Sequence, residues 1–140
     1  MTSSYVDITG SEITYTPPAG TTQVIYEFQL RCAGHDQHGI GTIRLYLDGV
    51  WVSDAAFSWG AASHFDSRIC YRWGFNIGGT QNNATGRRAD WNSGRTIKLM
   101  GREYGSANES KVHFTRYFDG AGTETFVPVS YTHLTLPTND

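Results

Sequence analysis

Hydrophobic side chains recur at every second position along most of this 140-residue chain, and this alternation limits what the chain can fold into. In the stretch QVIYEFQLRC, the residues of one parity are Val24, Tyr26, Phe28, Leu30 and Cys32, whereas those of the other parity are mostly polar. A period of two is typical of a β-strand with one face buried and the other in water. The pattern therefore predicts antiparallel strands that bury one face.

Further segments repeat the alternation and are separated by turn residues. Their predicted core positions are Ile43, Leu45, Leu47, Tyr71, Trp73, Phe75, Ile97 and Leu99. The Asp48-Gly49 pair predicts a two-residue type I′ hairpin turn, because that turn needs positive φ at both positions. Eight or nine short strands without an amphipathic helix predict an all-β, two-sheet antiparallel sandwich or a barrel.

Composition narrows the class of protein. Hydrophobic residues make up 39% of the chain and charged residues 17%, which favours one folded domain. A net charge of −2 provides no basic surface, so we expect no nucleic-acid partner. The sequence has no run of 18 apolar residues, so we expect no membrane insertion, and its opening lacks the pattern of a secretory signal peptide.

Two cysteines, Cys32 and Cys70, lie in strongly apolar segments. Both are predicted to be buried, reduced thiols. The alternative is a disulfide between two strands, which requires a Cα spacing that sequence does not reveal.

The histidines are weak evidence for metal binding or catalysis. His35, Asp36 and His38 could supply metal ligands, but no second pair at zinc spacing accompanies them. His64 and His113 are single, and are expected to be an ordinary loop residue and a hydrogen-bonded strand residue. No nucleophile elbow or phosphate-binding loop is present. We therefore expect no catalytic residues, no metal and no cofactor.

The long polar segment at residues 78–94 is the candidate binding site. A loop of this length is usually functional or mobile. It contains five side chains of the kinds found at binding surfaces: Asn82, Asn83, Arg87, Arg88 and Trp91. For Trp91 itself, the favoured interpretation is that it folds back and pins the loop onto the sandwich, and a contact with a partner is the alternative. The other three tryptophans, Trp51, Trp59 and Trp73, are predicted to pack in the core.

Four stretches carry a resemblance to a known family: ITYTPPAGTTQVIYEFQL, IRLYLDG, RWGFNIGG and ATGRRADWNSGRTIKLMGREYGSANESKVHFTRYFDG. Together they resemble a jelly-roll domain found in tail-fibre-like and other structural proteins of marine tailed phages, over residues 10–128. The resemblance implies a sandwich similar to tumour-necrosis-factor-type domains and a homotrimer without enzymatic activity. It implies location in the virion after assembly in the host cytoplasm, with other virion proteins and a host surface glycan or protein as partners.

Two alternatives to a virion protein remain open. A carbohydrate-binding, lectin-like module would show an exposed aromatic row or a calcium site on one sheet face. An enzyme would show a deep pocket with facing titratable groups of perturbed pKa. Apolar residues on otherwise polar strand faces, Ile25 and Met100, add weight to the predicted trimer.

The closing stretch VSYTHLTLPT, residues 129–138, resembles the conceptual translation of a transposase-based sequencing adapter. We therefore expect the domain to comprise residues 1–128, and residues 129–140 to replace a native closing strand. The alternation of this stretch nonetheless predicts an extended segment that pairs with a neighbouring strand. The tail from Pro137 onwards is expected to hang free, because proline cannot donate to a strand ladder.

Overall fold

The computed structural model describes residues 1–34, 39–61, 66–117, 123–126 and 131–135. These residues form strands and one short 3₁₀ turn at Ser106–Asn108, and the described part of the chain contains no α-helix. No described segment is a helix long and apolar enough to cross a membrane. The strands are β1 (Val6–Asp7), β2 (Ile13–Tyr15), β3 (Gln23–Gly34), β4 (Gly39–Leu47), β5 (Val50–Ala61), β6 (Asp66–Asn76), β7 (Arg95–Glu103), β8 (Ser110–Val112), β9 (Phe114–Tyr117), β10 (Thr123–Phe126) and β11 (Tyr131–Thr135).

The first sheet has the order β1-β7-β4-β5, with β2 also paired to β7, and all its pairs are antiparallel. The hairpin between β4 and β5 turns at Asp48 and Gly49, whose φ angles of 50° and 78° are those the sequence predicts. The Asp48 carboxylate fixes this turn to β7, because it accepts a hydrogen bond from the Thr96 N–H at 2.9 Å and pairs with Arg95 at 2.7 Å.

The second sheet is built around β3. This strand pairs antiparallel with β6 along almost its whole length, and with β8 and β11 on its other edge. Strands β9 and β10 form a separate two-stranded hairpin. Strands β5 and β6 therefore lie at free edges of their respective sheets in the described part of the chain.

The two sheets pack face to face through the residues that alternate inward. Ten of the predicted core residues are buried, namely Val24, Phe28, Leu30, Ile43, Leu45, Leu47, Tyr71, Phe75, Ile97 and Leu99. Trp73 is only half-buried, because it lies on the edge strand β6, where its indole N–H donates to the Thr85 carbonyl at 3.1 Å. The prediction of an all-β, antiparallel sandwich is confirmed, and the jelly-roll connectivity stays a prediction.

Buried tyrosine hydroxyls join the layers. The Tyr26 hydroxyl donates to the Ser11 carbonyl at 2.6 Å, and the Tyr71 hydroxyl donates to the Ala55 carbonyl at 2.9 Å. Burial raises the pKa of both phenols above the ordinary value. Because a buried hydroxyl must find a partner, these bonds fix the position of β5 relative to β6 and of the β1–β2 segment relative to β3.

The closing strand β11 pairs with β3, from Tyr131 opposite Gln29 to Thr135 opposite Ile25. The predicted extended pairing is therefore confirmed for these residues, and Leu134 packs against the core. Residues 129–130 and the predicted free tail lie outside the described residues. Pairing of this kind follows from alternation alone, so it carries no information about the origin of the segment.

The two cysteines differ from the prediction in one respect. Both thiols are free, and Cys32 is buried as predicted. The predicted burial of Cys70 is wrong, because Cys70 has the opposite parity to Tyr71 on β6 and so faces outward. Burial raises the pKa of the Cys32 thiol to about 12.

Candidate functional site

The loop at residues 78–94 is held to the sandwich by Trp91. The Trp91 side chain is only 3% exposed, and its indole N–H donates to the Tyr15 carbonyl at 2.9 Å. Its ring meets that of Phe75 edge-on, with centroids 5.7 Å apart. The favoured interpretation of Trp91 therefore agrees with the structure: this ring pins the loop and is not available to a partner.

Arg88 is also turned inward and is 4% exposed. Its guanidinium donates to the Arg87 carbonyl at 3.0 Å and to the Asn83 side-chain oxygen at 3.3 Å. Burial and the neighbouring positive charge of Arg95 lower its pKa. A buried guanidinium that is bonded within its own loop organises that loop. The prediction that Arg88 contacts a partner does not agree with this geometry.

The other three predicted contacts are more accessible but have partners within the loop. Half-buried Arg87 donates to the Gly78 carbonyl at 2.9 Å. The exposed Asn82 accepts from the Ala84 N–H at 2.9 Å, as in a turn stabilised by its own side chain. Asn83 is exposed as well and accepts from Gln81 at 3.2 Å. The structure thus brings all five predicted residues into one loop, but their polar groups largely serve to order it.

A different set of side chains lies on the outer face of the first sheet. The Arg44 guanidinium carbon lies 4.1 Å from the ring centre of Tyr5 and 4.0 Å from that of Trp51. Arg102 lies on the same face, with its guanidinium carbon 5.8 Å from the Tyr5 ring centre. We call these four residues, Tyr5, Arg44, Trp51 and Arg102, the aromatic–arginine stack. They come from the segment before β1 and from β4, β5 and β7, so the sheet itself sets their spacing.

The stack is accessible to solvent. The Trp51 side chain is 41% exposed. The predicted core position of Trp51 is therefore wrong, whereas Trp59 is buried as predicted. Large exposed aromatic side chains beside arginine are the residues that contribute most to binding energy at protein surfaces.

The sequence contained a signal for the position of Trp51. A two-residue turn at Asp48 and Gly49 forces Leu47 to pair with Val50 and therefore Tyr46 to pair with Trp51. Cross-strand partners share a face of the sheet, and Tyr46 has the parity of Arg44. The turn prediction thus already placed Trp51 on the outer face.

An irregularity in the same hairpin separates Arg44 from β5. Ile43 pairs with Phe57, but Leu45 pairs with Val52, so residues 53–56 lie opposite Arg44 without regular pairing. A bulged strand bends and re-aims its side chains. On its other side, Arg44 lies opposite Met100 of β7.

An open cleft of about 310 Å³ lies between the edge strands β5 and β6. The stacked rings of Phe57 and Tyr71, with centroids 5.6 Å apart, form part of its wall. Cys70 and Trp73 also line it. The cleft is mostly apolar, and its titratable lining groups are Asp54, Cys70, Tyr71 and Arg72.

The candidate metal ligands His35, Asp36 and His38 lie outside the described residues, as does His64. Within the described ranges, no group of three His, Cys, Asp or Glu side chains is placed to hold a metal ion. His113 is 3% exposed and its Nε2 lies 3.0 Å from the Thr9 carbonyl, so the predicted hydrogen bond is confirmed, whereas the predicted strand position is wrong. It lies between β8 and β9 at a φ of 64°, because the chain turns there from one sheet to the separate hairpin.

The aromatic–arginine stack has the chemistry of a binding surface. It presents partly exposed rings and guanidinium groups on a regular sheet, where backbone pairing holds the strands in position. The loop at residues 78–94 offers fewer free groups, since Trp91 and Arg88 are buried. No protein-family model matches this chain, and no curated protein or solved structure matches it either.

Proposed function

We propose that this chain is a non-enzymatic structural component of a phage virion, acting as a tail-fibre, receptor-binding or assembly domain. The resemblance of its sequence motifs to jelly-roll domains of marine tailed phages is the source of this proposal. One structural observation supports this proposal. The motifs that carry the resemblance coincide with turns between the strands of the sandwich.

Three motifs each coincide with a turn. In the TPPAG stretch, the Thr21 N–H donates to the Pro18 carbonyl at 3.2 Å across a turn that contains Gly20. In the FNIGG stretch, Gly78 and Gly79 have φ angles of 105° and 73°, which favour glycine. The YGSANE stretch contains the 3₁₀ turn at Ser106–Asn108. The shared residues therefore serve the fold, which supports a common architecture as the basis of the resemblance.

Function on such a fold depends on its surfaces. The aromatic–arginine stack gives this domain a surface suited to contact with another virion protein or with a host glycan or protein. Receptor contact and virion assembly both need an exposed surface of this kind on a rigid scaffold.

The homotrimer is part of the same proposal and comes from the resemblance. Ile25 lies on the outer face of the second sheet, opposite Gly74, whereas Met100 lies on the outer face of the first sheet, opposite Arg44. The two residues therefore do not form one apolar patch, and they do not support a shared interface. Light scattering of the purified domain tests the assembly: a mass of three chains agrees with the proposal, and a monomer at high concentration contradicts it.

The virion location can be tested directly in the sample from which the gene comes. Particles that contain DNA are separated by density, and peptides of this chain are sought by mass spectrometry. We expect peptides from residues 1–128 to enrich with the particle fraction, together with known capsid peptides. Recovery only from the particle-free fraction would contradict the proposal.

Carbohydrate binding is the second candidate function. It is favoured by a specific observation, the partly exposed aromatic row of Tyr5 and Trp51 on one sheet face. The apolar face of a sugar ring packs against an aromatic ring by dispersion, with its C–H hydrogens against the negative ring face. A glycan array with the purified domain tests this function, and absence of any saturable binding would exclude it.

A further inference from the structure

We propose that the aromatic–arginine stack binds a saccharide that carries a carboxylate, with Arg44 as the carboxylate-binding residue and Trp51 as the residue that stacks on the sugar ring. This inference rests on the second candidate function, carbohydrate binding, and names its site and its ligand class. It does not depend on where in a virion the domain is located.

Arg44 is held in place before any ligand binds. Its guanidinium lies between the rings of Tyr5 and Trp51, at 4.1 Å and 4.0 Å from their centres. Two ring contacts restrict the guanidinium, and arginine that stacks on aromatic rings keeps the N–H donors at the edge of its planar group available for a ligand. A planar fork of donors matches the two oxygens of a carboxylate, and a side chain held in place loses less entropy on binding.

Arg44 has no carboxylate partner among the described residues. Other cations of both sheets do have one: Lys98 pairs with Asp7 at 2.9 Å, Arg95 with Asp48 at 2.7 Å, and Arg72 with Glu27 at 3.2 Å. Because Asp7 is bound to Lys98, it does not neutralise Arg44. The outer face therefore holds an ordered, unpaired positive charge at its centre, with Arg102 adding a second positive charge nearby.

The exposed apolar area of the stack indicates the size and kind of its ligand. A stable protein–protein interface needs on the order of 1,000 Å² or more with an apolar centre. Trp51 is the large exposed apolar side chain of the stack, whereas the exposed Ile40 on the same face lies four positions from Arg44 along β4. Arg44 and Arg102 flank the exposed rings. Such a small apolar area beside an unpaired arginine suits a compact ligand that has one apolar face and one anionic group. An acidic sugar has both.

A matched pair of ligands tests the chemistry. The probe is tetragalacturonate, and its control is the same oligosaccharide with each carboxylate reduced to a primary alcohol. Binding to the purified full-length chain is measured by isothermal titration calorimetry at low and moderate salt. We expect tetragalacturonate to bind and the reduced form to bind at least about tenfold more weakly, since a charge-assisted contact is lost.

Matched variants test the residues. Arg44→Gln and Trp51→Gln should each weaken binding by about tenfold or more. Arg68→Gln, at an exposed arginine on the second sheet, should leave binding unchanged. Circular dichroism melting of each variant verifies folding. Because Arg44 and Trp51 both lie on the outer face, either variant alone suffices if the other fails to fold.

Several results would overturn the proposal, and each has a distinct meaning. If binding of the acidic probe survives Arg44→Gln and Trp51→Gln, carbohydrate binding stands but lies elsewhere on the domain. If only a sulfated oligosaccharide binds, or if the reduced form binds equally well, the carboxylate assignment is wrong. If tetraglutamate binds as tightly as tetragalacturonate, the surface recognises acidic peptides. If no saccharide binds, the second candidate function fails as well, whereas the virion proposal is decided by the particle fractionation.

Discussion

The guanidinium carbon of Arg44 lies 4.0 Å from the ring centre of Trp51, across the hairpin that β4 and β5 form. This contact exists because a two-residue turn sets the register of the hairpin, so that Tyr46 pairs with Trp51 and leaves Arg44 diagonally opposite the indole. The position of the candidate site thus follows from the geometry of one turn.

Substitution of the buried and the exposed tryptophan should separate their roles. Trp91→Ala removes a ring that is 3% exposed and leaves the Tyr15 carbonyl without its donor, so we expect a loss of about 3–5 kcal/mol in the free energy of unfolding. Trp51→Ala makes the same chemical change at a residue that is 41% exposed and should cost clearly less. Urea unfolding of both variants checks this, and equal losses would contradict the assignment of Trp91 as the residue that pins the loop.

Two glycines of similar backbone conformation offer a second comparison. Gly49 and Gly86 have φ angles of 78° and 79°, so alanine at either position costs about 1–2 kcal/mol from the left-handed conformation. A Cβ at Gly49 meets nothing within 4 Å, whereas one at Gly86 would lie 2.7 Å from the ring of Phe75. Gly86→Ala should therefore cost about 1–3 kcal/mol more than Gly49→Ala. Thermal melting measures the difference, and equal effects would show that the loop does not pack on Phe75 as described.

The two thiols should react at very different rates. Cys70 is exposed, whereas Cys32 is buried and its pKa is raised to about 12, so that almost no thiolate forms at neutral pH. We expect a maleimide to label one cysteine per chain rapidly in the native protein and both after denaturation. Peptide mapping should place the native label on Cys70. Rapid native labelling of Cys32 would show that β3 is not covered as the sandwich requires.

His113 should make stability depend on pH below neutrality. Burial lowers the pKa of its imidazole in the folded protein, whereas the unfolded chain keeps the ordinary value of about 6.5. As the pH falls below about 6.5, the unfolded state binds a proton before the folded state does, so the free energy of unfolding decreases until the pH passes the folded pKa. Above about 6.5 the imidazole is neutral in both states and contributes no pH dependence.

His113→Asn tests this dependence, since asparagine tolerates the φ of 64° at this position. The variant is expected to be less stable at every pH, because it loses the contact with the Thr9 carbonyl. The informative quantity is the change in unfolding free energy between pH 7.5 and pH 5.5, which should be smaller in the variant. An unchanged pH dependence would mean that His113 is already exposed to protonation in the folded state.

The sequence predicted the sheets well and the position of Trp51 poorly, for physical reasons. Strand alternation is a local property, so Val24, Phe28 and Leu99 could be placed in the core from their neighbours alone. The burial of Trp91 depends on a hydrogen bond to Tyr15, 76 positions away in the chain, and no local pattern reports such a contact. The exposure of Trp51 could have been predicted from the Asp48-Gly49 turn, which sets the register of the hairpin. The general tendency of tryptophan to be buried suggested the opposite.

We place the binding surface of this domain on the aromatic–arginine stack and not on the loop at residues 78–94. The indole N–H of Trp51 reports on the stack, and that of Trp91 reports on the loop. Each gives its own signal in a ¹⁵N-correlated NMR spectrum, and substitution of one tryptophan at a time assigns the signals. Titration with tetragalacturonate should shift the Trp51 indole signal progressively and leave the Trp91 signal in place. A shift of the Trp91 signal with a stationary Trp51 signal would contradict the claim and return the binding site to the loop.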